Sequence, residues 1–205
     1  MPYNFICIEG NIGIGKTTLV KKLAAHFKAG SLYEEFDENP WLPLFYQNPK
    51  ETALALELSF LTDRSKQLVK ITGNEKIFSD YCIDKCLLFT KINLSPAEFD
   101  QYKKLHELVC KTVIRPNLVI VIHSTTENLL ANIKQRGRSY EQNMEAAYLD
   151  KLNNSYKEFF SKEKPYYILN IFAGNLSITH YENMFDQIVS FLEQEPLQKI
   201  TDTHL

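Results

Sequence analysis

The sequence has no surplus of basic residues and no long apolar run. Its 205 residues include 23 Lys and Arg against 25 Asp and Glu, which gives a net charge of −2. A chain with this balance has no basic field to attract a nucleic acid polymer or an anionic lipid surface. No apolar stretch has the length that a membrane span requires. We therefore expect neither a nucleic acid partner nor a membrane.

Cysteines are few and scattered, at Cys7, Cys82, Cys86 and Cys110. Cys7 falls in a run that we expect to be a buried strand, and Cys82 and Cys86 lack a second pair or spaced histidines to complete a metal site. This usage is typical of a reduced, cytoplasmic protein. Because strand-like residues begin almost at once, we expect no signal peptide.

Internal repeats and low-complexity segments are also missing, and short apolar runs alternate with helical patterns. This rhythm predicts an α/β fold with a parallel five-stranded sheet flanked by helices. Strands are predicted over 3–9, 31–34, 76–80, 117–123 and 166–172. Helices are predicted over 16–29, 49–72, 83–92, 96–114, 126–136, 141–161 and 177–193. We expect a turn around Asn39, Pro40 and Trp41, one domain over 1–195, and a frayed tail over 196–205.

Glycine is sparse, with seven in all, yet several of them fall in one short segment. That segment reads Gly10-Asn11-Ile12-Gly13-Ile14-Gly15-Lys16-Thr17-Thr18. It matches G-x-x-x-x-G-K-T behind an apolar strand and before a helix, which is the phosphate-binding loop of P-loop NTPases. The backbone N–H groups cradle a polyphosphate, Lys16 reaches the β- and γ-phosphates, and Thr17 offers a hydroxyl to Mg²⁺. The sequence therefore predicts a nucleoside triphosphate site.

Ligands of an open parallel sheet bind beyond the carboxyl ends of its strands, which makes Glu34, Asp80 and His123 candidates for the same region. On the predicted helix 49–72, Glu57 and Arg64 share one face. These two residues line a groove or form a solvated, charged helix face, and their spacing alone leaves both readings open.

Five separated segments resemble the deoxyribonucleoside kinases, especially the bacterial deoxyguanosine and deoxyadenosine kinase branch. They are Gly10 to Thr18, Tyr33 to Trp41, Phe45-Tyr46 with Glu57 to Arg64, Ser79 to Phe89, and Arg136 to Glu141. The resemblance implies a P-loop NTPase-type fold with an arginine-bearing lid. It also implies a nucleotide-salvage kinase that uses ATP and Mg²⁺ to phosphorylate the 5′-hydroxyl of a purine deoxyribonucleoside, and a homodimer.

The resemblance also assigns the catalytic roles. Glu34 matches the general base that takes the proton of the 5′-hydroxyl, and a closed site would raise its pKa toward the working range. Asp80, with Thr17, matches the metal site. Arg136 and Arg138 match the lid arginines, which stabilise charge on the transferred phosphoryl group.

Substrate contacts follow from the same resemblance. Tyr46 and Glu141 match the residues that bind the 3′-hydroxyl, and Phe89 matches the ring that stacks on the base. Glu57 and Arg64 match residues that face the base. Relatives often carry glutamine at the first of these positions; an ionised Glu57 only accepts hydrogen bonds, which favours the N1–H and N2–H₂ donors of guanine.

Three residues depart from the family pattern. Tyr81 and Asn132 stand where relatives often have arginine, and Cys86 stands where relatives have an aspartate that pairs with Arg64. The first departure is typical of one purine-directed branch. The last leaves the choice between guanine and adenine open.

Two other functions fit the sequence less well. A nucleoside monophosphate kinase of the thymidylate kinase type shares the Glu9-Gly10 and Arg-Gly-Arg segments, but needs a further cationic site for the acceptor phosphate. A GTPase-type switch would need Asn-Lys-x-Asp and Asp-x-x-Gly, and neither occurs.

Overall fold

The computed structural model describes residues 2–36, 38–73, 75–174, 178–194 and 198–204. The chain divides into two compact units. The sheet unit contains Met1–Tyr33, Gly73–Cys82 and Pro116–Leu205, and the helical unit contains Glu34–Thr72 and Ile83–Arg115. We describe each unit by itself, and the single domain expected from the sequence stays a prediction.

The sheet unit is built on parallel strands, as the apolar runs predict. Within the described residues there are six strands, in the order β2-β3-β1-β4-β5-β6. Their bounds are β1 Phe5–Gly10, β2 Gly30–Leu32, β3 Ile77–Ser79, β4 Leu118–His123, β5 Tyr167–Phe172 and β6 Ile200–His204. β1 and β4 are buried along their whole length, which explains the apolar runs over 5–8 and 118–122 within them.

The expectations of five strands and of a frayed tail were wrong at β6. This strand pairs in parallel with β5, from Ile168 opposite Ile200 to Phe172 opposite His204. The Asn170 side chain donates a hydrogen bond of 2.8 Å to the Asp202 carboxylate across the pair. Residues 195–197 and 205 lie outside the described residues.

Helices of the sheet unit follow the strands. They are α1 Lys16–Phe27, α6 Thr126–Arg136, α7 Ala146–Phe160 and α8 Ile178–Glu193, with a 3₁₀ turn over Ser139–Glu141. α6 ends at Gly137, whose φ of 77° is the left-handed conformation common after helices. The predicted start of α8 at Ser177 lies outside the described residues.

The helical unit contains α2 Trp41–Gln47, α3 Pro49–Leu68, α4 Lys85–Asn93 and α5 Pro96–Cys110. α2 occupies a segment that begins where the sequence predicted a turn. α5 starts with a capping box, in which Ser95 and Glu98 satisfy each other's backbone N–H groups. Among the described residues no helix combines the length and apolar character that crossing a membrane requires.

The buried face of α3 carries two ionisable side chains among apolar ones. Its buried residues are Ala53, Leu56, Glu57, Leu61, Arg64 and Leu68. Glu57 and Arg64 are only 2% and 4% exposed. The reading of these two residues as a solvated face is therefore wrong, because buried charges require partners within the protein.

Candidate active site

The phosphate-binding loop connects β1 to α1 in the sheet unit, and its glycines are required by its geometry. Gly10, Gly13 and Gly15 have φ of 144°, 84° and 90°. A Cβ on Gly10 would lie 2.5 Å from the Ile122 carbonyl oxygen, and one on Gly13 would lie 2.7 Å from that of Leu129. Only glycine fits these positions without moving backbone.

Lys16 begins α1 and bends back over the loop. Its Nζ donates hydrogen bonds to the carbonyl oxygens of Gly10, at 2.8 Å, and Asn11, at 3.0 Å. Among the remaining predicted residues, Ile12 and Ile14 lie in the turn, where Ile14 is buried, and Thr18 is an exposed residue of the first turn of α1. The ammonium group and the amino end of α1 together offer positive charge to a polyphosphate.

Thr17 and Asp80 meet as the sequence predicts. Asp80 follows β3 directly, and its Oδ2 accepts a hydrogen bond of 2.5 Å from the Thr17 hydroxyl. A hydroxyl beside a carboxylate, with phosphate oxygens and water completing the shell, is a donor set that suits Mg²⁺. These two residues of the sheet unit fit the expected metal.

The predicted lid residues form one ion cluster. Arg136 forms a short ion pair with Glu141, and Arg138 Nη1 lies 3.4 Å from the other oxygen of that carboxylate. Asn132, which stands where relatives often have arginine, donates a bond of 2.9 Å to the Gly13 carbonyl. The amide thus ties α6 to the phosphate loop through a hydrogen bond.

Glu9 and Asn11 are buried polar residues that hold the phosphate-binding loop in place, a role that the sequence did not indicate. Glu9 is fully buried, and it accepts hydrogen bonds from the Cys82 backbone N–H at 2.7 Å and the Tyr156 hydroxyl at 3.1 Å. Asn11 donates to the Leu149 carbonyl and to Asn153, both at 2.9 Å. These contacts fix the loop against α7 and against the segment after β3.

Glu34 is the first residue of the helical unit, and two cations hold its carboxylate. Arg64 donates from Nε to Oε1 at 3.0 Å and makes a second, shorter bond from Nη2 to the same oxygen. Lys85, the first residue of α4, donates from Nζ to Oε2 at 2.6 Å. The neighbouring Glu35 is exposed, so only one of the two adjacent acids is held inside.

The pKa of Glu34 differs from the sequence-based expectation. Burial is the largest single influence and would raise it, but the charges and hydrogen bonds of Arg64 and Lys85 lower the pKa well below its ordinary value. The expectation of a raised pKa was wrong, because two cations outweigh burial. Glu34 is therefore ionised at neutral pH, as an acceptor of a proton must be.

Arg64 does have partners, although Cys86 replaces the expected aspartate. Besides the bonds that Arg64 makes to Glu34 through Nε and Nη2, its Nη1 lies 2.7 Å from the Cys86 Sγ. Burial would lower the pKa of Arg64, but the charge of Glu34 and the proximity of Cys86 raise it. The guanidinium is thus held in place and stays charged.

Glu57 lies on α3, as Arg64 does, and its pKa is shifted in the opposite direction to that of Glu34. Burial raises its pKa to about 7, an effect only partly offset by the hydrogen bond from Asn93 Nδ2 to Oε1, at 2.8 Å, and by the charges of Arg64 and Lys85. Tyr102 donates its hydroxyl to the Glu57 backbone carbonyl at 3.0 Å. Glu57 consequently exists in both protonation states near neutral pH.

Tyr46 and Phe89 are half-buried residues of α2 and α4. The Phe89 ring lies 5.4 Å from the Lys85 ammonium, and the Tyr46 ring meets Phe45 edge to face. Tyr46 belongs to the helical unit and Glu141 to the sheet unit. Their shared contact with a 3′-hydroxyl stays a prediction.

A polar cluster joins α4 to α5. Asp84 accepts a bond of 2.6 Å from Arg115 Nη1 and lies 3.5 Å from His106 Nε2, which also contacts the Ile83 carbonyl. Burial lowers the pKa of His106. The Cys110 Sγ lies 3.5 Å from the same ring nitrogen. Since Arg115 already neutralises the carboxylate, we assign this cluster a structural role.

His123 ends β4 and packs against neighbouring side chains, as expected for a structural histidine. Its Nε2 lies 3.1 Å from the Asn170 Oδ1, and its ring stacks on Phe172 at 4.6 Å. Burial lowers its pKa, which favours the neutral ring. His123 borders an open polar cavity of about 480 Å³ in the sheet unit, which Asn153 also lines.

These features define a P-loop phosphotransferase: a phosphate-binding loop follows a central strand of a parallel sheet, and a hydroxyl and a carboxylate suit Mg²⁺. Two arginines, at the end of α6 and just beyond it, complete the set. Sequence comparison assigns the family. The family model for deoxynucleoside kinases matches residues 6–194. The chain therefore belongs to the deoxynucleoside kinase family and is a kinase.

Three relatives carry deoxynucleoside kinase names; all three names include a purine, and one also includes deoxycytidine. A deoxyguanosine kinase of Bacillus subtilis is 37% identical over 158 residues, which cover 75% of this chain and 76% of that protein. A deoxyadenosine kinase of Lactobacillus acidophilus is 35% identical over 147 residues, with 67% and 68% covered. The deoxyadenosine/deoxycytidine kinase of Bacillus subtilis is 27% identical and matches 92% of both chains.

Solved structures resemble the chain over most of its length. The deoxyadenosine kinase from M. mycoides with bound dCTP has a TM-score of 0.76 and 25% identity, and the match covers 90% of this chain and 98% of that one. The same kinase with dCMP and dCDP bound gives the same TM-score at 26% identity. The fold is thus one that holds nucleotides in a related enzyme.

Proposed function

We propose that this protein transfers the γ-phosphoryl group of ATP to the 5′-hydroxyl of a purine deoxyribonucleoside, deoxyguanosine or deoxyadenosine, for nucleotide salvage. The observation that carries the proposal is Glu34, a half-buried carboxylate held between Arg64 and Lys85. The names of the relatives support the purine substrate.

In this mechanism the sheet unit binds the triphosphate. Backbone N–H groups of residues 10–18 and the Lys16 ammonium exchange their internal contacts for β- and γ-phosphate oxygens. Arg136 and Arg138 leave Glu141 for the γ-phosphoryl oxygens as charge develops there. Thr17 and Asp80 would hold Mg²⁺, which supplies Lewis-acid charge neutralisation when bound.

The helical unit binds the acceptor nucleoside. Glu34 accepts a hydrogen bond from the 5′-hydroxyl and then its proton, while Arg64 keeps the carboxylate in position. Phe89 stacks on the base, and Tyr46, with Glu141 of the sheet unit, binds the 3′-hydroxyl. A sugar without that hydroxyl would leave these polar groups unpaired, which is how the site would reject it.

The purine is selected by Glu57. In its ionised form the carboxylate accepts from the two adjacent donors of guanine, N1–H and N2–H₂. In its protonated form it presents one donor and one acceptor, which match N1 and the N6 amino group of adenine. The raised pKa, about 7, supports use of both purines.

The proposal includes a homodimer in the cytoplasm, where ATP is available. All the large hydrophobic side chains found exposed in the described part of the chain belong to the helical unit. They are Trp41, Leu44, Leu54, Val69, Leu105 and Leu108. An apolar helix surface of this kind suits an interface with a second copy.

The direct test compares the four deoxyribonucleosides as acceptors with ATP, for the wild type and for Glu34→Gln. We expect purines to be phosphorylated well ahead of pyrimidines. We expect kcat to fall at least about a hundredfold in the variant, because an amide cannot take the proton. Glu35→Gln, which changes the exposed neighbour, is the matched control and should retain wild-type turnover.

Two results would contradict the proposal. Unchanged kcat in a folded Glu34→Gln protein would remove the base from the mechanism. Phosphorylation of deoxyguanosine monophosphate, but not of deoxyguanosine, would instead identify a nucleoside monophosphate kinase.

A further inference from the structure

The carboxylate of Glu34 is held by more positive charge than it neutralises. Arg64 and Lys85 both form ion pairs with it, and the side chains of Arg64, Lys85 and Glu34 are 4%, 7% and 12% exposed. Glu57 also interacts with both cations, but burial raises its pKa to about 7, so it offsets their charge only in part. The cluster can therefore accept a further anion.

The two cations are used differently. Arg64 directs Nε and Nη2 to Glu34 and Nη1 to Cys86, so all of its nitrogens face fixed protein groups. Lys85 has three N–H donors on its ammonium. Across the described residues, its one hydrogen bond goes to Glu34 Oε2. Lys85 is thus the member of the cluster with donors available to a ligand.

Protonation of Glu34 makes the net charge of this cluster more positive. While Glu34 is ionised, it holds the Lys85 ammonium at 2.6 Å. Once the carboxylate has taken the proton of the 5′-hydroxyl, the attraction between the two side chains is lost. The ammonium then has a dianionic phosphate nearby, newly attached to the oxygen that Glu34 has just deprotonated.

We propose that Lys85 is a catalytic residue that binds the phosphoryl group as it arrives at the 5′-oxygen and then holds the monophosphate product. This inference rests on the proposed function. A bond forms between the 5′-oxygen and the γ-phosphorus while the bond from that phosphorus to the β,γ-bridging oxygen breaks. The hydroxyl proton passes to Glu34, and ADP leaves with the bonding electrons. Lys85 keeps its protons and changes its partner from carboxylate to phosphoryl oxygen.

The test replaces Lys85 with methionine, and with glutamine in case the apolar variant fails to fold. We expect kcat to fall at least about thirtyfold, in the range for removing a group that stabilises transition-state charge. The dissociation constant of the 5′-monophosphate, measured by calorimetry without ATP, should rise at least about tenfold. That of the deoxyribonucleoside should change less than about threefold, because it has no phosphate.

The pH profile gives a second readout that a structural role would not produce. Without Lys85 the pKa of Glu34 rises, so the acid limb of the kcat profile should move to higher pH. Lys85→Arg should restore monophosphate binding and part of kcat. Lys91→Met, an exposed position on the same helix, is the matched control and should behave as the wild type.

Equal weakening of nucleoside and monophosphate binding, or an unchanged kcat in a folded variant, would overturn the assignment of Lys85. Because the binding measurement needs no turnover, it tests the phosphate contact of Lys85 separately from the proposed kinase function. If the wild type binds the monophosphate through Lys85 but phosphorylates no deoxyribonucleoside, the proposed function fails while the Lys85 phosphate contact stands.

Discussion

Two buried carboxylates of the helical unit, Glu34 and Glu57, have opposite acidities because of their immediate neighbours. Glu34 has a cation on each oxygen, and these charges lower its pKa in spite of burial. Glu57 receives one neutral amide, from Asn93, and burial raises its pKa. The same side chain thus stays ionised at one position and changes charge near neutral pH at the other.

The first prediction at this scale concerns purine choice and pH. As pH falls from about 8.5 to 5.5, Glu57 gains a proton, and the ratio of kcat/KM for deoxyadenosine to that for deoxyguanosine should rise at least about tenfold. The charged and titratable groups around Glu57 are Arg64, Lys85, Glu34, Cys86 and Tyr102. The pKa of Glu34 is lowered and that of Arg64 is raised, so neither group changes charge over this range and Glu57 dominates the change.

Glu57→Gln should make this ratio independent of pH, since an amide always presents one donor and one acceptor. Glu51→Gln, in the exposed first turn of α3, is the control. An equally strong pH dependence in Glu57→Gln would assign the effect to another group.

The stability of the same variant checks the direction of the pKa change. The pKa of Glu57 is higher in the folded than in the unfolded chain, so the stability that its protonation contributes is present below about pH 4.5 and is lost as pH rises through about 7. Urea unfolding should show Glu57→Gln gaining stability relative to the wild type over that range, by on the order of 3 kcal/mol when complete.

At the scale of single elements, strong local signals made the sequence informative. The phosphate loop has φ angles that only glycine adopts easily, so its composition and its conformation are tied together. The start of α5 carries a reciprocal cap in Ser95 and Glu98, and the structure has that cap. Both features depend on residues a few positions apart, which a sequence displays directly.

The elements that were missed have no such signal. β6 reads Ile-Thr-Asp-Thr-His and is half exposed at the edge of the sheet, so it lacks an apolar pattern. α2 is seven residues long and contains Pro43, which favours a turn in any local reading. Packing against another element of the same unit decides the structure in both cases, α3 for α2 and β5 for β6.

Long-range contacts also explain what was missed in the candidate site. Lys85 is 51 positions from Glu34 along the chain, and no spacing rule connects them. The resemblance to relatives supplied Glu34 and Arg64 but not their contact, because it rested on matched positions. The low pKa of Glu34 followed only once the three side chains were seen together.

A prediction for the phosphate loop follows from Gly13. An alanine there would place its Cβ 2.7 Å from the Leu129 backbone oxygen at a φ of 84°. We expect Gly13→Ala to lower the thermal unfolding midpoint and to weaken ATP binding at least about tenfold, because backbone of α6 or of the loop must move. Thermal unfolding and ATP titration measure these effects.

Gly174→Ala is the control for that substitution. Nothing lies within 4 Å of the position that its Cβ would take, so both measurements should match the wild type. Wild-type ATP affinity in Gly13→Ala would show that the loop binds phosphate in a different conformation from the one described here.

At the scale of the whole molecule, the exposed apolar side chains of the helical unit bear on its assembly. Leu105 and Leu108 lie one turn apart on α5 and are 40% and 61% exposed. Apolar groups at this spacing form a stripe that a second copy would cover in the proposed homodimer.

Leu105→Asp combined with Leu108→Asp should convert such a dimer to a monomer, because charge in an apolar interface has no partner. Sedimentation velocity measures the change. The control is Lys103→Asp with Lys104→Asp, at two exposed positions of the same helix. A dimer that survives the leucine substitutions would move the interface away from this stripe of α5.

The contacts of Lys16 with its own loop have a consequence for the heat of nucleotide binding. The ammonium has two carbonyl acceptors within its own loop, at Gly10 and Asn11. Docking ATP therefore replaces two good contacts by others, and the enthalpy released should be smaller than a count of new phosphate contacts suggests. The affinity of the loop then depends strongly on entropy gained as water leaves the triphosphate and the glycine backbone.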